Sequence, residues 1–177
     1  MGSEDMTDAF EIEETHNIQE YEEQYMGSLY HSSAQTRITS LLSNDERFSV
    51  FVELSLDATQ IDLNQFGIKA RDKLIPDICL YPKGQLKKRG RDVRKVSDIP
   101  LLAIEVISPD QGSDEILAKF EAYFTLGVKS CWLVEPSVEV VHVYPQPDQH
   151  KTFDMNDTEI FDEVIDIRLP IHTIFQW

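Results

Sequence analysis

The sequence predicts an α/β (α+β) domain in which a central mixed β-sheet is flanked by helices. Three observations lead to this prediction. Short β-branched apolar runs recur along the chain and are bounded by turn residues or prolines, as in the strands of a buried sheet. One segment, 114–126, is amphipathic with the period of a helix. The predicted order of helix, helix, strands, helix, strands is typical of a mixed sheet covered by helices.

Three helices are predicted from apolar periodicity. The first begins at Asn17 and ends near Gly27. The second covers residues 31–42 and turns an apolar stripe inward. The third covers residues 114–126, and Gly127 suits the position just after its last turn.

Strands are predicted where β-branched and aromatic residues cluster or alternate with polar ones. These segments are 47–56, 75–82, 99–107, 130–136 and 138–145. The last two are close enough in sequence to form a hairpin. The stretch FGIKA (66–70) suggests a further short strand, and the tail from residue 160 onward predicts a last strand and a packed C-terminus.

Length and composition indicate one folded unit. The chain has 177 residues, of which 41% are apolar and 27% charged, as is usual for a globular domain. We expect residues 1–16 to be an acidic, flexible N-terminus and residues 17–177 to form a single domain. There is no apolar stretch of ~18 residues and no signal peptide, so a cytoplasmic protein without a membrane segment is the default expectation.

The charge of the chain is unevenly distributed. The net charge is −16, which argues against a nucleic-acid partner because phosphates repel an acidic surface. However, residues 1–23 hold nine acids and no Lys or Arg, whereas residues 83–95 hold seven of the sixteen basic residues. We call residues 83–95 the basic segment and predict that it is an exposed loop.

Two carboxylates stand out because of their place in the predicted strands. Asp77 opens the strand at 75–82, and Glu105 lies near the end of the apolar run LLAIEVI. An isolated charge in a buried strand is costly, so Glu105 needs a partner or a metal ion. If the two strands are neighbours, both carboxylates converge at one sheet edge, where two hard oxygen donors suit Mg²⁺ or Mn²⁺.

Lys119 lies at the border of the apolar stripe of the third helix. Its methylenes can run along apolar surface and carry the ammonium to the end of a strand. An Asp, a Glu, a Lys and a metal ion are the parts needed for phosphodiester hydrolysis. Each of these residues by itself also has an ordinary structural explanation.

The segments around these residues resemble the Uma2 family, also called the domain of unknown function 820, of the PD-(D/E)xK restriction-endonuclease-like superfamily. The resemblance rests on IPDICLYP, LLAIEVISP, AKFEAYFTLGVKSCWLVEP and VVHVY, and it covers roughly residues 28–177. It implies a restriction-endonuclease-like core in which Pro76-Asp77 and Glu105 supply the two acidic half-motifs. The usual Lys two residues after the second acid is absent, because position 107 is Ile.

The resemblance also suggests where the missing lysine and the rest of the cleft are found. Uma2-like proteins take the Lys from the following helix, and Lys119 matches that position. The first core helix of the family bears a His, so His31 and Gln35 are expected to line the cleft together with Tyr123. Asp77, Glu105 and Lys119 are thus the predicted catalytic residues, and Asp77 and Glu105 the predicted metal ligands.

Two functions from different classes follow from the sequence. The first is a Mg²⁺-dependent endonuclease acting on DNA, with contacts to nucleic acid from Lys87, Lys88, Arg89 and Arg91 in the basic segment. A homodimer is a further hypothesis, since enzymes with this fold often cut two strands as pairs. The second is a binding module that keeps the fold without catalysis, and the acidity of the chain supports it. Metal binding that depends on the carboxylates separates the two.

Overall fold

The computed structural model describes residues 27–87, 90–109 and 111–177. Within these ranges the chain forms, in order, α1 (Leu29–Ser43), β1 (Phe48–Val52), β2 (Leu56–Asp57), a 3-10 helix (Leu63–Phe66), β3 (Lys73–Leu74), β4 (Ile78–Pro82), β5 (Leu102–Val106), α2 (Ser113–Leu126), β6 (Ser130–Glu135), β7 (Val140–Gln146), β8 (Gln149–Phe153), β9 (Ile160–Asp162), β10 (Ile167–Leu169) and α3 (Ile171–Ile174).

Six strands form the central sheet, in the order β1-β4-β5-β6-β7-β8. Neighbouring strands are antiparallel except β5 and β6, which are parallel. Two parallel neighbours need a crossover connection, and α2 provides it. The sheet is therefore mixed and flanked by helices, and the predicted fold class is confirmed.

The sheet has a separate apolar core on each face. The α1-side core packs α1, α3 and the β9–β10 hairpin against one face of the sheet. The α2-side core packs α2 and the 3-10 helix against the other face. Successive residues of a strand point to opposite faces, so Ile78 and Leu80 belong to the first core, while Cys79 and Tyr81 belong to the second.

Several predicted elements are confirmed by these bounds. The predicted helices 31–42 and 114–126 correspond to α1 and α2. Gly127 follows α2 with a left-handed φ of 109°, a conformation that favours glycine, and its N–H donates to the carbonyls of Tyr123 and Phe124. The predicted hairpin is present as antiparallel β6 and β7.

Other predictions were wrong in detail. FGIKA forms no strand, because Phe66 ends the 3-10 helix and Gly67 turns the chain with a φ of 72°. The strand predicted at 47–56 is broken at Glu53, which has a φ of 51°. The C-terminal strand is a two-stranded hairpin, β9 and β10, and β8 was not foreseen.

Two expectations concern residues outside the described part of the chain. The acidic N-terminus at 1–16 lies outside the described residues, as does nearly all of the helix predicted from Asn17 to Gly27.

None of the helices in the part that the structure describes has the length and apolar character needed to cross a membrane.

Candidate active site

Asp77 and Glu105 lie together because of how β4 pairs with β5. These strands are antiparallel, with Ile78 opposite Ile104, so the residue that precedes β4 lies beside Glu105. Asp77 Oδ2 accepts a hydrogen bond of 2.6 Å from the Val106 N–H, which crosses from one strand to the other. Asp77 and Glu105 thus lie side by side at neighbouring ends of β4 and β5, as predicted, which is what we mean by this edge of the sheet. Their role as metal ligands stays a prediction.

Glu105 is almost fully buried, and two side chains of α2 satisfy its charge. Its side chain is 3% exposed and follows Ala103 on the face that packs against α2. Lys119 Nζ donates to Oε2 over 2.9 Å, and the Tyr123 hydroxyl donates to Oε1 over 2.7 Å. The two donors are four residues apart and share one face of the helix. The buried carboxylate therefore has partners within the protein and does not need a metal ion to offset its burial.

Lys119 keeps its charge in this position. Burial lowers the pKa of its ammonium, but the negative charges of Glu105 and Asp77 outweigh burial, so the net pKa lies above its usual value. The side chain remains 29% exposed, which lets the ammonium face both Glu105 and the solvent edge of the site.

Asp77 is held mainly through its backbone and is poorly compensated in charge. Gln35 Nε2 donates to its carbonyl over 3.0 Å rather than to its carboxylate. His31 Nε2 lies 3.6 Å from Oδ1, beyond normal hydrogen-bond reach. Burial, and then the charge of Glu105, raise the pKa of Asp77 to about 8. Its carboxyl group is therefore largely protonated at neutral pH when no cation is bound.

His31 enters the site from the first turn of α1. Ser28 caps this helix by accepting a hydrogen bond of 3.2 Å from the His31 N–H, which fixes where the turn begins. The His31 ring is buried, and its Nδ1 lies 3.4 Å from the hydroxyl oxygen of Ser108. Burial lowers the pKa of His31, although a hydrogen bond to the Val106 backbone and the charge of Glu105 oppose this shift.

The donor set fits a hydrated magnesium or manganese ion. Asp77 Oδ1 is not taken by a short hydrogen bond, and Glu105 lies next to it on the paired strand. In residues 27–87, 90–109 and 111–177, no three His, Cys, Asp or Glu side chains come together as a metal site. Two carboxylates with water completing the shell suit Mg²⁺, which keeps several waters, better than Zn²⁺, which needs three or four protein ligands.

The basic segment begins away from the carboxylates. It leaves the sheet after Pro82, and the five residue steps back to Asp77 span about 17 Å of strand. The chain later returns to the β2 region, where Val96 bridges to Leu56. The basic segment lies between the two acidic strands in sequence, but this order does not indicate that it faces the site. Lys87 and Arg91 are exposed as predicted, Lys88 and Arg89 lie outside the described residues, and the DNA contact stays a prediction.

Sequence reasoning missed two residues at this edge of the sheet. Ser108 directly follows the strand predicted at 99–107 and received no role, yet its buried hydroxyl faces His31. Glu53 was in the middle of a predicted strand, yet its N–H donates to the Asp77 carbonyl over 3.1 Å. No local sequence signal marks either residue, because both contacts are made across distant parts of the chain.

The raised pKa of Asp77 predicts a pH-dependent stability in metal-free protein. The folded protein holds a proton up to about pH 8, whereas the unfolded chain releases it near pH 4. The stabilisation from this proton is fully present below about pH 4 and is lost progressively until the pH has risen through about 8. Between these two pH values, the wild type should therefore lose up to about 1.4 kcal/mol of unfolding free energy per pH unit relative to Asp77→Asn.

Urea unfolding in EDTA at a series of pH values between 5 and 9 measures this difference. Groups distant from the site titrate equally in both proteins, so the difference between the two curves reports Asp77 together with its neighbour His31. Parallel curves would contradict the environment described for Asp77.

Comparison with known proteins shows a likeness in fold and in sequence. A crystal structure described as a putative nuclease belonging to DUF820 from Anabaena variabilis ATCC 29413 resembles this chain with a TM-score of 0.66. The two share 21% identity over 86% of this chain and 83% of that chain, a likeness that shows the fold alone. No curated protein sequence matches the chain. Residues 18–172, which include Asp77, Glu105 and Lys119, match the Uma2 family, described as "Putative restriction endonuclease". The chain therefore belongs to the Uma2 family.

Proposed function

We propose that this protein is an endonuclease that hydrolyses DNA phosphodiester bonds with Mg²⁺ or Mn²⁺ bound at Asp77 and Glu105. One observation carries the proposal. The two carboxylates and the Lys119 ammonium meet at one edge of the sheet, where Lys119 contacts Glu105 directly. The family description "Putative restriction endonuclease" supports the proposal.

Each residue of the site has a distinct part in this chemistry. Asp77 and Glu105 would hold the ion, which supplies charge to polarise a phosphate and lowers the pKa of a bound water. Lys119 presents a positive charge beside the same carboxylates, where it can orient the attacking water and stabilise negative charge on the phosphate. The Val106 N–H and the Gln35 amide keep Asp77 in place by binding its carboxylate and its carbonyl.

A second function is favoured by one specific observation. Lys119 and Tyr123 satisfy the charge of Glu105 without a metal ion, so the same residues would be stable in a nuclease-fold module that only binds a partner. The net charge of −16 also suits a partner other than nucleic acid. Such a module needs no metal affinity, so metal binding distinguishes the two functions.

A cleavage assay tests the proposed activity. Wild-type protein is incubated with supercoiled plasmid, linear duplex, single-stranded DNA and RNA, in Mg²⁺, Mn²⁺ or EDTA. We expect DNA cleavage that needs the cation and is abolished in Asp77→Asn, because that variant removes a ligand charge without changing its size. Asp148→Asn, in an exposed turn after β7, is the matched control and should cut like wild type. Equal cutting by Asp77→Asn and wild type, or no cutting in either cation, would contradict the proposal.

Lys119→Met separates metal binding from catalysis. It removes the ammonium with little change in length, so cleavage should fall by roughly a hundredfold, the scale for losing one electrostatic stabiliser. The affinity for Mn²⁺ should stay the same or rise, because a cation that competes for Glu105 is removed. The variant should also be less stable in EDTA by roughly 3 kcal/mol, since it leaves a buried charge without its counterion.

The assay for Lys119→Met is run well below its melting temperature, with calorimetry for Mn²⁺ binding. Lys129→Met, at an exposed position before β6, is the matched control. A Lys119→Met protein that cuts as fast as wild type would show that the lysine serves only the stability of the fold.

The basic segment predicts a salt-dependent contact with DNA. Changing Lys87, Lys88, Arg89 and Arg91 to Ser should weaken binding to DNA of any sequence. Each lost phosphate contact should reduce the slope of log affinity against log salt by roughly one. Fluorescence anisotropy in EDTA at several salt concentrations measures both slopes, and equal slopes would place the segment away from the nucleic acid.

A further inference from the structure

Glu53 lies at the end of β1, next to the first acid of the site. β1 and β4 are antiparallel, with Val52 opposite Ile78, so the residue after β1 faces Asp77. The Glu53 N–H donates to the Asp77 carbonyl over 3.1 Å, and Gln35 donates to the same oxygen. The position of Glu53 relative to Asp77 is therefore set by the sheet and not by a flexible loop.

The backbone of Glu53 is in a conformation that favours glycine. Its φ is 51°, in the left-handed region that residues with a Cβ seldom adopt. Glu139 and Asp166 share this conformation, with φ of 56° and 52°, so the backbone alone does not single out Glu53. Glu53 differs from these two residues because it lies beside Asp77 of the candidate site.

The Glu53 side chain is exposed, and its charge reaches the site. The strand pairing and the 3.1 Å backbone hydrogen bond place Glu53 directly beside Asp77. In keeping with this position, its negative charge raises the pKa of Asp77 and opposes the lowering of the pKa of His31. Among the described residues it does not form a three-ligand metal cluster with them. Glu53 is therefore a neighbour of Asp77 on the paired strand and is not counted with Asp77 and Glu105 as a third ligand.

We propose that Glu53 is a positioning residue of the metal site, whose carboxylate accepts hydrogen bonds from the water shell of the divalent cation held by Asp77 and Glu105. This inference rests on the proposed function, because it needs a cation at those two residues. Mg²⁺ and Mn²⁺ keep several waters when few protein ligands bind them, and those waters need acceptors. The exposed carboxylate of Glu53, whose backbone is bonded to Asp77, supplies one acceptor and adds negative charge that attracts the cation.

Two substitutions at Glu53 separate the carboxylate from the backbone. Glu53→Gly keeps the N–H that binds the Asp77 carbonyl and suits the left-handed φ, so its melting temperature in EDTA should be equal to or above that of wild type. Glu53→Gln keeps the side-chain length and removes the charge. Both should lower the affinity for Mn²⁺ roughly tenfold, the lower end of the usual loss when an outer partner of a metal site is removed.

Asp166→Gly is the matched backbone control. Asp166 has a similar φ and a side chain that is 78% exposed, and it contacts Arg47 near the start of β1, at the other end of that strand. Replacing it also removes one acidic charge from the surface, so a general effect of charge on metal affinity would appear in this variant as well. We expect its affinity for Mn²⁺ to equal that of wild type.

Titration calorimetry with Mn²⁺ on the full chain, together with melting temperatures in EDTA, gives the result. A tenfold loss of affinity in both Glu53 variants, with melting temperatures no lower than wild type, supports the inference. An affinity in Glu53→Gln equal to wild type overturns it, while the proposed function stands if Asp77→Asn still abolishes binding. If wild type itself does not bind Mn²⁺, the proposed function fails and the inference fails with it.

Discussion

The antiparallel pairing of β4 with β5 is the interaction on which the candidate site depends. Its register places Ile78 opposite Ile104, and this alone brings Asp77 beside Glu105. Side chains alternate between the faces of a strand, so a slip of one residue would turn Glu105 away from α2 and into the α1-side core. The packing of both faces opposes such a slip, because it would exchange Ile78 and Leu80 of one core for Cys79 and Tyr81 of the other, which differ in size and shape. The packing of the sheet therefore determines the chemistry at its edge.

The two carboxylates are compensated unequally. Glu105 receives an ammonium and a hydroxyl from α2, whereas Asp77 receives one backbone N–H and a distant imidazole. The burial of Asp77, and then the negative charge of Glu105, are the physical reasons that its pKa is raised to about 8. Carboxylates with strongly shifted pKa values are concentrated at functional sites. A cation bound to the deprotonated form of Asp77 would offset the free energy that its burial costs the free protein. Asp77, and not Glu105, is therefore the carboxylate without a cationic side chain at hydrogen-bond distance.

The helices add residues to the site from both faces of the sheet. α1 contributes His31 and Gln35 at its N-terminal end, and α2 contributes Lys119 and Tyr123 from its middle turns. The helical repeat explains both pairs, since residues four apart share a face. This arrangement also explains how the site has a lysine although position 107 is Ile: the crossover helix between β5 and β6 returns directly over Glu105.

Most of the local elements, and the acidic and basic candidates for the site, were predictable from the amino-acid sequence. Apolar periodicity was sufficient for α1, α2, β4, β5 and the β6–β7 hairpin, because these segments are long or strongly patterned. It failed for FGIKA and for the strand expected at 47–56, where single residues with positive φ interrupt an otherwise suitable pattern. Asp77, Glu105 and Lys119 were identified because a charge in or beside an apolar run is unusual, and because their order resembles a family.

The contacts between these groups, and the effect of each group on its neighbours, are visible only in the folded chain. The Lys119 and Tyr123 bonds to Glu105, the Gln35 and Glu53 bonds to the Asp77 backbone, and the Ser108 contact with His31 all join residues distant in sequence. The basic segment is another case in which sequence order does not give position. It lies between the two acidic strands in sequence, but it begins at the end of β4 that is far from Asp77. Local patterns encode the periodicity of single elements, whereas pairing register and burial arise only when the elements pack, and those two properties set the distances and charges of this site.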